Sequence, residues 1–462
     1  MPTECNPEAM LFERLEGRAV VADFGGGAIT SDAGGLLLGA TDRAIGLIER
    51  FAACFEDGRS ARRVVHDIPT LIGQRIFGIA LGYEDLVDHD ELRHDPVFGT
   101  VLGRLEARRR GCAPLAGKST LNRLEHAPEG EHRYRRIAHD PAAVERLFVE
   151  LFLDAHARPP ARITLDLDAT DDRIHGRQEG RFFHGYYDCY CYLPLYVFCG
   201  NHLLAAKLRR SNIDASAGAL EEVERIVTQI RARWPKVKIL LRADSGFARE
   251  ELMAWCEANQ VDYLFGLARN PRLVDHIHVD LAWAEEEAAH TGRPARRFAD
   301  FRWTTREGWS RRRRVVAKAE WMPARGEGGA NPRFVVTSLS AGAVDARALY
   351  EELYCARGDM ENRIKECQLD LFADRTSAAT MKANQLRLWF AAMAYVLLAA
   401  LRRIALAHTR LAVATCNTIR LKLMKIGAQV TKSVRRIRVA MASACPYADE
   451  FRLAHARLTA AG

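Results

Sequence analysis

An α/β protein is the fold class predicted for this chain of 462 residues: a mixed-sheet core with a β-rich insertion, an N-terminal helical domain and a basic C-terminal segment. Three observations predict it. Ile163, Leu165 and Leu167 alternate with polar residues over 162–168, the period of a half-buried strand. Two further strand patterns, 237–243 and 261–267, alternate with helical ones. Apolar residues make up 48% and charged residues 27%, ordinary for a soluble globular protein, and the length allows about three domains.

The elements follow in chain order. Residues 17–33 read as a short hairpin turning at Gly25, Gly26 and Gly27; these glycines lack the strand-to-helix context of a nucleotide loop. From Gly34 to about Glu150 the pattern is helical, interrupted near Pro69, Gly82, Pro96 and 111–114. A helix-turn-helix fits within 66–126, and Arg104–Arg110 and Lys118–Arg123 supply cations there; a purely structural helical subdomain fits equally. Residues 1–150 are thus read as one region. The core, 151–270 and 341–410, begins with a strand at Arg162 and continues with strands near 181–192 and 194–208. A helix at 215–233, a strand at 237–243, a helix at 248–258 and a strand at 261–267 complete it. That β-β-β-α-β-α-β order implies a mixed sheet with antiparallel early strands. Alternating segments within 271–340 predict a β-rich insertion, whose Trp303 and Trp309 could stack on an unpaired base, although such residues more commonly pack internally.

Chemistry concentrates on three acids. Asp168 and Asp244 end two strands, where open sheets place ligands. The third, Glu361, lies on a helix predicted from an Asp345 N-cap to about Leu371. At about 100° per residue, Tyr354, Glu361 and Lys365 share one stripe with Arg357 nearby, while Leu353, Met360, Ile364, Cys367 and Leu371 form an adjacent packing face. Three carboxylates suffice for two Mg²⁺ ions, which are hard and take oxygen ligands; such a pair serves in-line displacement at a phosphodiester. Arg357, Lys365 and Arg242 would offset the acids or hold phosphates, and Tyr354, on the same stripe, is a further candidate contact to DNA phosphates near the cut. Taken singly, a strand-end acid is usually a turn former and a Glu beside Arg and Lys is usually a solvated face. Asp166, on the same strand face as Asp168, is the alternative ligand.

These residues resemble a known group. Tyr354, Arg357 and Glu361 have the Y-x2-R-x3-E spacing of bacterial insertion-sequence DDE transposases, which have a ribonuclease-H-like catalytic core. Asp168-Ala169-Thr170 is similar to that group's first-aspartate motif and 242–247 to its second. Asp23 to Gly27, Gly82 to Asp85, Leu92 to Pro96 and His175 to Gln178 extend the resemblance over nearly the whole chain, to the branch named for insertion sequence thirteen-eighty. One position departs: the lysine expected seven residues after the glutamate is Gln368, and Lys365 lies one turn after Glu361. The resemblance implies an enzyme that cleaves DNA at its element's terminal inverted repeats and transfers the 3′ end to target DNA. It also implies two Mg²⁺ ions, with Mn²⁺ as substitute, on Asp168, Asp244 and Glu361, and a homodimer on DNA whose N-terminal domain binds the ends. A transposase-derived DNA-binding protein without activity, or a metal-dependent nuclease without strand transfer, are the alternatives.

Charge and cysteine usage agree with this. Residues 401–462 hold twelve Lys and Arg against Asp449 and Glu450, so this stretch carries the positive balance of a chain whose net charge is +8. Concentrated positive charge draws polyanions, and Lys432, Arg435, Arg436 and Arg438 of the basic segment 411–462 are the candidate phosphate contacts. A second basic run is Arg311–Arg314. Eleven cysteines imply no disulfide framework, because the start Met1 to Cys5 lacks the basic and apolar regions of a leader; reduced thiols and a cytoplasmic location are expected. Cys189, Cys191, Cys199 and His202 depart from common zinc spacings. The apolar run Leu388–Leu401 is too short to span a bilayer and reads as a core helix.

Overall fold

The computed structural model describes residues 9–126, 136–306, 308–323 and 329–462; the pentapeptide at the start lies outside them. The chain divides into two compact units, residues 1–139 with 393–462, and residues 140–392.

Unit 140–392 is built on a nine-stranded mixed sheet. Helix α1 (Pro141–Asp154) precedes strand β1 (Arg162–Ala169), which is followed by the hairpin of β2 (Leu195–Cys199) and β3 (His202–Lys207). Helix α2 (Ala219–Arg233), β4 (Lys238–Ala243), α3 (Glu250–Ala258) and β5 (Asp262–Leu267) come next. After helix α4 (His278–Thr291), strands β6 (Ala295–Trp303), β7 (Arg313–Met322), β8 (Gly329–Ala330) and β9 (Arg333–Thr337) complete the sheet. Its order is β3-β2-β1-β4-β5-β9-β7-β6, with β8 paired to β7.

Both faces of the centre are covered, which is why Ile239, Leu240, Leu241 and Ala243 run on as four buried apolar residues with Arg242 among them. Ile163, Leu165, Leu167, Ile239 and Leu241 pack against α1, α2 and α3. Leu240, Leu264, Val316 and Val335 face the other way, toward Leu349 and Tyr350. Those two belong to a helical run from Ala346 to Asp370, whose N-cap Asp345 accepts from the amides of Arg347 and Ala348, as the sequence predicts.

Two expectations change here. The segment 271–340, expected to be β-rich, holds helix α4 as well as strands, and its strands extend the core sheet: β9 pairs antiparallel with β5, opposite residues including Phe265 and Val336. Pairing gives partners to backbone groups that β5 would otherwise leave open at an edge. The strands near 181–192 leave the core sheet instead; Phe182–His184 and Cys189–Tyr192 join Asp172–Arg173 in a separate three-stranded sheet. Half of the run at 311–314 is also absorbed structurally, while Arg311 and Arg312 stay exposed. Arg313 is buried between Glu250 and Glu257, and Arg314 pairs with Asp300 at 2.7 Å. Trp303 and Trp309 pack against the main core, the ordinary fate of strand aromatics.

In the other unit the first hairpin pairs Met10–Leu15 with Arg18–Ala22 and turns at Glu16 and Gly17, both with positive φ, rather than at Gly25–Gly27. Pro69 and Pro96 begin helices, Ile68–Leu81 and Pro96–Val101, behind the capping carboxylates of Asp67 and Asp95. The C-terminal segment packs on these N-terminal residues. Gly34 donates to Met424 O at 3.1 Å, and a Cβ at Gly34 would lie 1.9 Å from Leu423 O, so no other residue fits without movement. Leu423, Met424 and Ile426 are buried and Arg420 donates to Ala80 O, so the basic segment is folded rather than loose. Helix Met381–Ile404 meets the length and apolarity of a membrane span, yet 78% of its apolar window is buried inside the protein, as in a core helix.

Candidate functional site

Strands β1 and β4 run parallel side by side, with Arg242 opposite Asp166, and so they end together. Asp168 is the penultimate residue of β1. Asp244 follows β4 directly and caps a short turn by accepting from the Gly246 amide at 2.9 Å. Parallel pairing of neighbouring strands is thus the cause of the two aspartates sharing one end of the sheet.

Glu361 comes from the helical run 346–370, whose winding is irregular: π over Leu349–Tyr354, 3₁₀ over Cys355–Arg357, α over Gly358–Lys365 and π over Glu366–Asp370. Such interruptions in a helix are frequent at functional sites. They shift side chains off a uniform 100° wheel. Tyr354 accordingly leaves the polar stripe and turns toward the sheet, where it packs with Leu264 and Tyr350. Met360, Ile364, Cys367 and Leu371 are buried, and Glu361 and Lys365 are exposed.

Asp168, Asp244, Arg357, Glu361, Lys365 and Gln368 line one cavity of about 570 Å³. Arg357 bridges two of the acids, donating to Asp168 Oδ2 at 3.2 Å and to Glu361 Oε1 at 2.9 Å. Burial pushes the Asp168 carboxyl up to about 6; Arg357 opposes the shift, and Asp244 and Glu361 add to it. A carboxylate held near neutrality by burial and two neighbouring acids is poised to gain from a cation. The donors are hard oxygens, the chemistry Mg²⁺ and Mn²⁺ take. Among the described residues, however, no three His, Cys, Asp or Glu side chains are gathered closely enough to hold an ion, and the Arg357 guanidinium lies between Asp168 and Glu361. Cys189, Cys191, Cys199 and His202 likewise form no such group, and those three cysteines are free thiols.

The neighbouring strand acid has a different position. Asp166 is buried and receives Arg242 through both oxygens, at 2.5 and 2.9 Å. Burial raises its carboxyl and Arg242 opposes that rise. Arg242 also donates to the carbonyls of Leu353 and Ala356, tying β4 to the helical run. The expectation that Arg242 reaches a substrate phosphate therefore fails: the guanidinium is buried and engaged. Gln368, which stands where the resembled group has lysine, donates to Asp171 O at 3.0 Å and so secures the chain just after Asp168.

Four contributors escaped the sequence reading. Gly266 on β5 lies beneath the Tyr354 hydroxyl; a Cβ there would come within 2.5 Å of that oxygen and 2.8 Å of the Ser245 amide. A glycine inside a strand pattern is the signal of such a close approach. His184, Tyr186 and Tyr187, from the small separate sheet and its turn, also line the cavity.

In the other unit, Lys432 pairs with Glu106 at 2.6 Å on strand Ala428–Lys432, and Arg435, Arg436 and Arg438 stand exposed around the turn into strand Ile437–Met441.

None of the curated proteins matches the sequence. A solved structure titled as a piggyBac transposase synaptic complex with hairpin DNA is similar at 11% identity and TM-score 0.39, over 86% of this chain and 80% of that one. The family described as Transposase DDE domain group 1 matches residues 12–462, the stretch that contains all three acids. By that match, which spans nearly its whole length, the chain belongs to the DDE transposase family.

Proposed function

We propose that this transposase cleaves DNA at the terminal inverted repeats of a bacterial insertion sequence, of the branch named for insertion sequence thirteen-eighty, and joins the freed 3′ end to target DNA. The observation that carries this reading is the meeting of Asp168, Asp244 and Glu361 around one cavity, with the Asp168 carboxyl raised by burial. The core is read as ribonuclease-H-like, with Asp168, Asp244 and Glu361 as the ligands of two divalent ions. Asp166, engaged by Arg242, is the ion-pair partner rather than a ligand.

What a pair of Mg²⁺ ions, or Mn²⁺, would supply is charge for the attacking and leaving oxygens of an in-line displacement. The remaining work belongs to the chain. Arg357 holds Asp168 and Glu361 in place, and its guanidinium would be the group to meet a phosphate oxygen if the carboxylates were to hold divalent ions. Lys365, exposed at the cavity wall, offers a second positive charge to the strand. Tyr354, clamped over Gly266, keeps the Asp244 turn and the helical run in register. Lys432, Arg435, Arg436 and Arg438 are read as contacts to DNA backbone, and the helical N-terminal residues as the end-binding region. A homodimer on paired ends is the expected assembly.

The test is strand cleavage and joining on an oligonucleotide bearing the element's ends, with Mg²⁺. Asp168→Asn, Asp244→Asn and Glu361→Gln should each abolish both reactions while DNA binding persists, and Asp166→Asn should instead lower stability. Substantial cleavage by Asp244→Asn would sink the assignment. Nicking without joining by the unaltered chain would identify a nuclease, and neither reaction a DNA-binding remnant.

A further inference from the structure

Beside the acid cavity the structure leaves an unusual set of aromatic rings uncovered. Phe182–His184 and Cys189–Tyr192 form a hairpin in which Phe183 and Tyr190 are direct cross-strand partners. Their rings meet edge to face, with centroids 5.6 Å apart, yet Phe183 is 53% and Tyr190 47% exposed. Arg181 lies over the Tyr190 ring, 4.8 Å from its centroid. At the turn, Tyr186 is 86% exposed and stands 5.0 Å from Tyr187, whose ring in turn neighbours His184 at 4.9 Å. His184, Tyr186 and Tyr187 line the same cavity as Asp168 and Asp244, so aromatic side chains extend from the hairpin surface to the acids.

Large apolar side chains clustered at a surface mark a contact site, and these come with cations interleaved: Arg181 on the ring, and exposed Arg173 and Arg177 in the same segment. Ring faces for bases and guanidinium groups for phosphates are what a single nucleic-acid strand needs, since every base has a π-face whatever its identity. We infer that the hairpin bearing Phe183, Tyr186 and Tyr190 is a stacking platform for unpaired nucleotides beside the scissile phosphate. The substrate this implies is DNA melted at the cut site rather than a fully paired duplex. The inference rests on the acid cavity being where a strand is cut. Sequence preference within the unpaired nucleotides should be weak, because stacking does not read base edges.

The experiment uses the full chain in EDTA, so that binding is measured without cleavage. The probe is a fluorescein-labelled duplex carrying an unpaired arm of about four nucleotides, the short end of single-strand site sizes, compared by anisotropy with the same duplex fully paired. The unaltered chain should prefer the forked probe. Tyr186→Ala with Phe183→Ala should weaken forked binding by about tenfold, the scale of one base–aromatic stack removed, and leave paired-duplex binding unchanged. Tyr186→Phe, which keeps the ring, should retain the preference. Tyr186 is almost fully exposed, so its replacement tests the surface and not the fold. Absence of a fork preference, or its persistence in the double alanine variant, overturns the inference. So does a variant that loses self-association by sedimentation while keeping the preference, for the face would then be an interface between copies. Cleavage by the Asp244→Asn chain would sink the acid-site reading instead, and the two failures are read in separate assays.

Discussion

Asp168→Asn should make the metal-free protein more stable at neutral pH. The carboxyl is displaced from 3.8 to about 6 by burial, a shift that already contains the opposing attraction of Arg357. At 1.36 kcal/mol per pH unit this displacement corresponds to about 3 kcal/mol, the amount by which the folded state disfavours the ionised group at about pH 7.5. The sign follows from the raised value: the protonated group's contribution is fully present below 3.8 and is lost as pH rises through about 6. Asn has nearly the shape of the neutral acid, with an NH2 in place of the OH and no titrating proton, so the net gain at about pH 7.5 is expected at roughly 1–3 kcal/mol, and at about pH 4 the two proteins should be nearly equal. Urea unfolding in EDTA at the two pH values measures it. Adding Mg²⁺ should then stabilise the unaltered chain more than the variant, since an ion bound to the folded state alone shifts unfolding by mass action. If Asp168→Asn is instead less stable at the higher pH, the Arg357 ion pair outweighs burial, and the picture of an acid strained in readiness for a cation is wrong.

Three further outcomes follow from other parts of the fold. Arg242→Ala leaves Asp166 buried without its partner and should cost about 3–5 kcal/mol in chemical unfolding; weaker DNA binding with unchanged stability would restore Arg242 as a phosphate ligand. Gly266→Ala drives a methyl into the Tyr354 hydroxyl and the Ser245 amide, so a stability loss of about 1–3 kcal/mol should accompany slower cleavage, and normal cleavage would show that Tyr354 does not position the Asp244 turn. Neutralising Lys432, Arg435, Arg436 and Arg438 together should weaken binding to all DNA sequences alike. It should also flatten the slope of log K against log salt, by up to about 0.9 for each phosphate that is no longer neutralised; an unchanged slope removes the basic turn from the interface.

What the sequence made legible was whatever depends on local periodicity. The strand at 162–169 and the Asp345 cap stand where alternation and capping chemistry place them, because both are decided within a few residues. Asp168 and Asp244 could be brought to one sheet end for a similar reason: each closes a strand pattern, and strands that pair in parallel end together. The illegible parts are those decided by distant partners. Nothing near Arg242 says that its cross-strand neighbour is Asp166 and that the pair is buried; an arginine beside an acid motif looks the same whether it meets phosphate or carboxylate. The basic segment misleads in the same way. Arg420 and Lys425 count toward its charge, yet one is buried against Ala80 O and the other pairs with Asp32, whereas Arg435, Arg436 and Arg438 present theirs to solvent. Net charge therefore identifies a kind of partner but not the residues that meet it. The aromatic hairpin is the converse case: Phe183 and Tyr190 have the alternation of ordinary sheet residues, and only the fold, by placing that hairpin outside the core sheet and along the acid cavity, turns packing residues into candidates for binding.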